Sequence, residues 1–186
     1  MEKEKLAGTC FNKGNLVGIA KCLLLCGFSP IPMIVKEDIN GLRPSISWRH
    51  YQEKPMSLSE IKIHFQRAHG IAYLCGRSSS ILVLDVNDLQ KFNQFYDLEK
   101  LKAYCGFVIR SNNRGQYLLG FRYDEEFFKC ENLSDEAGFK LKSNGTLATF
   151  FTVLPGLQYK PEKLEGLNPL PQDLRKKIKN YLLKKN

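Results

Sequence analysis

Short apolar runs separated by polar turns divide this chain into helical and extended segments. Leu16–Cys26 is apolar on most faces, follows a capping Asn15 and stops at Gly27, so it predicts a largely buried helix. Phe28–Val35 predicts a strand, and Pro30 and Pro32 suit an edge or irregular one. Lys36–Gly41 reads as a polar turn. Leu42–Pro55 has no clean period and reads as an extended loop pinned by Trp48. Ser57-Leu58-Ser59-Glu60 has the pattern of a capping box, opening a helix over Leu58–Ala68 with Ile61, Phe65 and Ala68 on one face. Gly70–Leu74 predicts a short strand, and Gly76–Ser80 a polar turn.

Ile81-Leu82-Val83-Leu84-Asp85-Val86-Asn87-Asp88 stands out. Its apolar run predicts a buried central strand that leads into an acidic cluster. Period-two alternation puts Asp85 and Asn87 on the same face of that strand. Leu89–Tyr104 follows as one helical pattern. Gly106–Arg110 and Gly115–Tyr123 predict a hairpin around Ser111-Asn112-Asn113-Arg114. Asp124-Glu125-Glu126 reads as an exposed acidic knot. Gly138–Leu141 and Thr146–Leu154 predict strands either side of the Ser143-Asn144-Gly145 turn. Pro155–Pro169 reads as loop, and Asp173–Lys185 as a final helix. The fold class expected is α+β, with helices packed on a mixed or antiparallel sheet.

Composition narrows the function classes. The 186 residues suit one domain with a sizeable core. No apolar run reaches the roughly 18 residues of a membrane span, and the first residues lack a signal-peptide pattern. A cytoplasmic protein without a membrane partner is expected. The six cysteines lack Cys-x-x-Cys pairing and read as buried reduced thiols. His50, His64 and His69 lack metal-ligand spacing. The net charge of +9 favours a polyanionic partner. Residues 161–186 hold seven of the basic and three of the acidic side chains.

The order of these blocks resembles the primase–polymerase (prim-pol) domain of the archaeo-eukaryotic primase superfamily, in the form found on archaeal plasmids, in viruses and in mobile elements. The resemblance rests on Phe28-Ser29-Pro30-Ile31-Pro32 after the first helix, and on Arg43-Pro44 through Trp48. It continues with Tyr51-Gln52-Glu53-Lys54-Pro55, Gly70–Gly76 and Ile81–Asp88. It implies a prim-pol domain over 14–162 with an RRM-like core. An N-terminal arm over 1–13 and a basic helical tail over 163–186 flank it. In that family two acids of the first motif and a later Asp bind two metals, and a His of the second motif contacts the incoming nucleotide.

This chain departs from that pattern three times. Asp85 agrees, but Asn87 stands at the second acid, and Asp88 is an alternative ligand predicted to point to the other face. The second motif aligns with Ser111–Tyr117, placing the His position on Tyr117, or on Gln116 with a one-residue shift. The third aligns with Phe139-Lys140-Leu141, so Lys140 replaces the Asp. An ammonium group removes a ligand and repels divalent cations. An Asp85–Lys140 ion pair across neighbouring strands is therefore expected.

The reading that follows is a non-catalytic, prim-pol-like accessory protein in DNA replication or mobile-element maintenance. It would bind single-stranded or primer–template DNA or RNA, or a nucleotide, and a replication protein in trans. Arg77, Arg110, Ser111, Arg114, Tyr117, Lys140 and Lys142 are candidate contacts, Tyr117 by base or sugar stacking. No cofactor is expected. One alternative is an active primase or polymerase using Mg2+ or Mn2+ on Asp85 with Asn87 or Asp88, and Asp124 or Glu125 from elsewhere. Another is an interaction module working through the stripe Leu174, Ile178, Tyr181 and Leu182 of the final helix, which most simply packs on its own core.

Overall fold

The computed structural model describes residues 15–36, 39–111, 115–127, 137–153 and 159–183. Within these residues the protein is α+β, with two antiparallel sheets and five α-helices. The strands are β1 (Pro30–Lys36), β2 (Ile39–Pro44), β3 (Gly70–Leu74), β4 (Ile81–Val86), β5 (Phe107–Ser111), β6 (Gln116–Arg122), β7 (Phe139–Lys142), β8 (Leu147–Thr152) and β9 (Tyr159–Leu164). The helices are α1 (Leu16–Leu25), α2 (Leu58–His64), α3 (Leu89–Phe95), α4 (Leu98–Tyr104) and α5 (Gln172–Leu183).

One sheet runs β2-β1-β3-β8 and the other β7-β4-β6-β5-β9. The Ser143–Gly145 turn thus links strands of different sheets. The predicted run Ile81–Val86 is a central strand, hydrogen-bonded to β6 on one side and β7 on the other.

Helix starts follow the local chemistry. Asn15 Oδ1 accepts from the Val17 N–H, and the Ser57–Glu60 capping box is complete. Two hydrogen bonds from Ser57, led by its hydroxyl, and one from the Tyr51 hydroxyl depress the Glu60 carboxyl to about 2. Leu89–Tyr104 is two helices rather than one. Tyr96 is extended and Asp97 caps a new start by accepting from the Lys100 N–H. α2 ends at His64, four residues early, although Phe65 and Ala68 still bury.

Three other expectations change. β1 is an interior strand. Its bonds to β3 use Ser29 and Met33, so ladder alternation turns the missing N–H of Pro30 and Pro32 away from β3. Strand β2 does not reach that far; its pairing starts at Met33. β2 and β9 form in stretches that read as turn and loop, because their partners, not their own alternation, supply the pattern. Cys22 is disulfide-bonded, so the reduced-thiol reading fails there; Cys26, Cys75 and Cys105 are not in disulfides.

Two cores divide the interior. The first gathers α1, α2, β3 and one face of the five-stranded sheet, through Ile81, Val83, Ile109 and Leu118. The second lies on the opposite face, where Leu82, Leu84, Val86, Leu119 and Phe139 meet α3, α4 and α5. β9 runs through the expected boundary at 163, and α5 buries Leu174 and Ile178 in the second core. The expected arm over 1–13 lies outside the described residues. No described helix is long and apolar enough to cross a membrane.

Candidate functional site

The site is built from the central strand outward. On β4, Ile81 and Val83 face the first core, and alternation turns Asp85 the same way. Lys140 of β7 is the residue directly opposite Asp85, and Lys142 is opposite Val83. Leu84, Phe139 and Leu141 belong to the second core, so both lysines project on the Asp85 side. One carboxylate and two ammonium stems thus share the inter-sheet face.

The ion pair at Asp85 is with Lys142: Nζ lies 3.2 Å from Oδ2, with the two side chains 25% and 17% exposed. This diagonal pairing takes the place expected of Lys140. Diagonal neighbours two residues along a ladder lie within reach of long side chains. Lys142 Nζ also donates to the carbonyl of Leu147, at 2.9 Å. Leu147 opens β8 in the other sheet, so this one ammonium ties the two sheets together. Its engagement makes Lys142 an internal staple rather than a phosphate contact.

The surroundings are buried and short of partners. Tyr73 is 0% exposed, and its hydroxyl has no hydrogen-bond partner; neither does the buried Ser143 hydroxyl. Burial drives the Tyr73 phenol well above its ordinary range, and Cys75, Cys105 and Asp85 add to the shift. Burial also pushes the Cys75 thiol up to about 12, against the opposing pull of Lys142 and Thr146. A thiol held protonated in this way is not a nucleophile.

The other candidates are placed as follows. β4 ends at Val86, so the alternation expected to align Asn87 with Asp85 is not carried by the ladder. The backbone N–H groups of Asn87 and Asp88 both donate to the carbonyl of Gly138, at 3.0 and 3.1 Å. Gly138 sits at φ +76°, and a Cβ there would meet the Asp88 carbonyl at 2.4 Å. That close approach requires glycine and anchors β7 against the start of α3. Asp88 caps α3 by accepting from the Lys91 N–H at 3.0 Å, and this hydrogen bond lowers its carboxyl. Its oxygen is used structurally, which corrects the reading of Asp88 as a ligand.

Ser111 is buried on the same face as Ile109, in register with Gln116. Tyr117 lies on the opposite face, in the second core, with Lys102 Nζ 4.4 Å from its ring centroid. Stacking of a base beside Asp85 is therefore not available to Tyr117. Gln116 takes the inter-sheet side instead. Arg110 pairs across the ladder with Tyr117, shares its face, and lies 3.7 Å from Glu162. Arg77 is in the turn before β4, at the far end of that strand from Asp85, and bonds Glu125 at 2.8 Å. Arg114 lies outside the described residues.

The acids proposed as substitutes do not converge on Asp85. Asp124 lies 2.9 Å from Arg175 of α5, Glu125 binds Arg77, and Glu126 binds Arg175 and Lys179. Part of the basic tail is thereby neutralised within the molecule. Among the described residues, no group of three or more His, Cys, Asp or Glu side chains could hold a metal ion. The donors beside Asp85 are ammonium groups, and these do not fit a pair of divalent cations. His69 is structural: its Nδ1 accepts the Val35 N–H at 3.1 Å. Trp48 is partly buried against the first core. The signal sequence reasoning missed was Lys142. It sits two residues after Lys140 on one strand and was assigned outward to phosphate.

Against models of known protein families and against curated proteins, the sequence has no match.

Proposed function

We propose that this protein is a non-catalytic, prim-pol-like domain that binds single-stranded nucleic acid or a nucleotide in DNA replication or mobile-element maintenance. The observation that carries the reading is the Asp85–Lys142 ion pair with Lys140 directly opposite Asp85. Positive side chains stand where metal-dependent nucleotidyl transfer needs anionic ligands. The strand order β7-β4-β6-β5, all antiparallel, supports the RRM-like core that the sequence resemblance implies. The net charge of +9 supports a polyanionic ligand.

In this reading Asp85 is retained because it holds Lys142, and Lys140, directly opposite Asp85, is a candidate phosphate contact. Gln116 and Ser111 add polar groups on the same face. Electrostatic contacts of this kind weaken with salt, each phosphate contact contributing a slope of about one.

The test is fluorescence anisotropy with a labelled single-stranded oligonucleotide over a range of salt. Binding that weakens as salt rises, and that Lys140→Glu weakens further, is expected. Asp85→Asn removes a negative charge from the same face and should tighten binding. Failure of the folded protein to bind at low salt overturns the nucleic-acid reading. Templated primer extension with Mg2+ or Mn2+ tests the non-catalytic part. Incorporation that Asp85→Ala abolishes would show a working active site and overturn it.

A further inference from the structure

We propose that a cavity at the Ile81 end of β4 binds a single-headed amphipathic anion, its apolar body inside and its anionic head on Arg122. The cavity has a volume of about 490 Å3, within the range of small-molecule sites. It is separate from the Asp85 site, at the other end of the strand. Leu23 from the last turn of α1, Phe28, Phe107, Phe150 and Leu167 supply most of its wall. Walls of this kind accept alkyl or aryl groups and offer little to a base or a sugar.

Arg122 is the polar exception that sets the ligand's charge. It is in register with Ile81 and shares the face of Leu118, so its exposed side chain leaves the sheet on the cavity side. Its backbone is fixed by donation to the carbonyl of Asn168 at 2.8 Å. Its guanidinium has no ion pair or hydrogen bond among the described residues, whereas Arg77, Arg110 and Arg175 each face a carboxylate. A lone planar cation at the edge of an apolar cavity matches a carboxylate or sulfonate head.

Two further observations fit a polar end at this rim. Tyr123 also lines the cavity; burial raises its phenol, and the Arg77 guanidinium beside it opposes that rise. Ser80 lines the cavity with φ +52°, a strained conformation for a residue other than glycine. Asp124 and Glu125 follow directly in the chain. Both acids are paired, with Arg175 and Arg77, which leaves Arg122 to meet a single negative group.

The test uses dodecanoate and dodecanol as probes, with binding measured by calorimetry and by displacement of anilinonaphthalene sulfonate. Dodecanoate should bind the folded protein one to one, and dodecanol about tenfold more weakly, the scale of one charge-assisted hydrogen-bonded contact. Arg122→Met should bring dodecanoate down to the affinity of dodecanol without changing dodecanol itself. Leu167→Trp should fill the cavity and remove both, with the far-ultraviolet circular dichroism unchanged. The proposal is overturned if dodecanoate does not bind the folded wild type. It is equally overturned if Arg122→Met leaves the difference between acid and alcohol intact, or if Leu167→Trp leaves binding unaltered.

Discussion

The two faces of the five-stranded sheet solve different problems with the same strands. On the face toward α3, α4 and α5, β4 and β7 contribute Leu84, Val86, Phe139 and Leu141, all fully buried. On the face toward the other sheet, the same strands contribute Asp85, Lys140 and Lys142, with an unpartnered Tyr73 hydroxyl nearby. The first face is an apolar seam whose energy comes from burial. The second is a polar interruption, where each group costs free energy unless a partner is found. The helix-covered side is apolar along the whole of β4 and β7, whereas the inter-sheet side is apolar at Ile81 and Val83 and turns polar beyond them. Changes to equivalent strand positions should therefore behave differently on each side.

The largest effect is expected on the apolar side. Phe139 is fully buried, with its ring centroid 5.6 Å from that of Phe92 and 5.2 Å from that of Phe95. Phe139→Ala removes both ring contacts and leaves a cavity, a change that costs about 3–5 kcal/mol. Lys140→Ala, one residue on and facing the other way, should cost no more than about 1 kcal/mol, the scale of a partly exposed polar contact. Urea denaturation of the two variants measures the contrast. Comparable losses would mean that the faces are not energetically distinct.

On the polar side the sharpest test is Lys142→Met, which keeps the stem and removes the charge. Asp85 then loses its partner in a site where its side chain is only 17% exposed, and the Leu147 carbonyl loses a donor. Stranding a partly buried charge costs about 1–3 kcal/mol. Asp85→Asn in the same background should recover much of the loss, because the stranded charge is gone. A double-mutant cycle should give a coupling of about 1–2 kcal/mol. A coupling near zero would reduce the pair to an incidental surface contact.

This comparison also marks how far the sequence could be read. The apolar run Ile81–Val86, the capping box at Ser57 and the hairpin on either side of residues 112–114 were legible because each carries its signal locally. β2 and β9 were not: Ile39–Pro44 and Tyr159–Leu164 lack alternation of their own and become strands through their neighbours. In the site, the opposition of Asp85 and Lys140 followed from aligning motifs, and the ladder places them in register. Which lysine closes on Asp85 depends on side-chain reach and on the Leu147 carbonyl of another sheet, and neither is written in the motif. Tyr117 failed for a simpler reason. A shift of one residue exchanges faces, and Gln116, its neighbour, holds the inter-sheet side.

The smallest effect is the share of the pH dependence that the helix-covered side contributes. Tyr96 of the α3–α4 junction donates to Asp173 of α5, with Oη 2.9 Å from Oδ2. That hydrogen bond lowers the Asp173 carboxyl below its ordinary range. Burial, with the same bond, pushes the Tyr96 phenol from 10.0 up to about 12. The signs follow from which state binds the proton more tightly. Asp173 contributes stability above its unfolded value, and this is lost as pH falls through the lower folded one. The folded state keeps the Tyr96 proton longer than the unfolded chain, so that contribution is full below about pH 10 and disappears as pH rises toward 12. Tyr96→Phe removes the donor while keeping the ring, so it should make both limbs shallower and leave the neutral plateau little changed. Neither limb should vanish, since Glu60 on the acid side and Cys75 and Tyr73 on the alkaline side remain. Thermal unfolding midpoints from pH 3 to 11, compared for wild type and variant, measure this. An alkaline limb just as steep in the variant would assign the whole loss to the buried Cys75, Cys105 and Tyr73 and leave the helix-covered face purely apolar in its energetics.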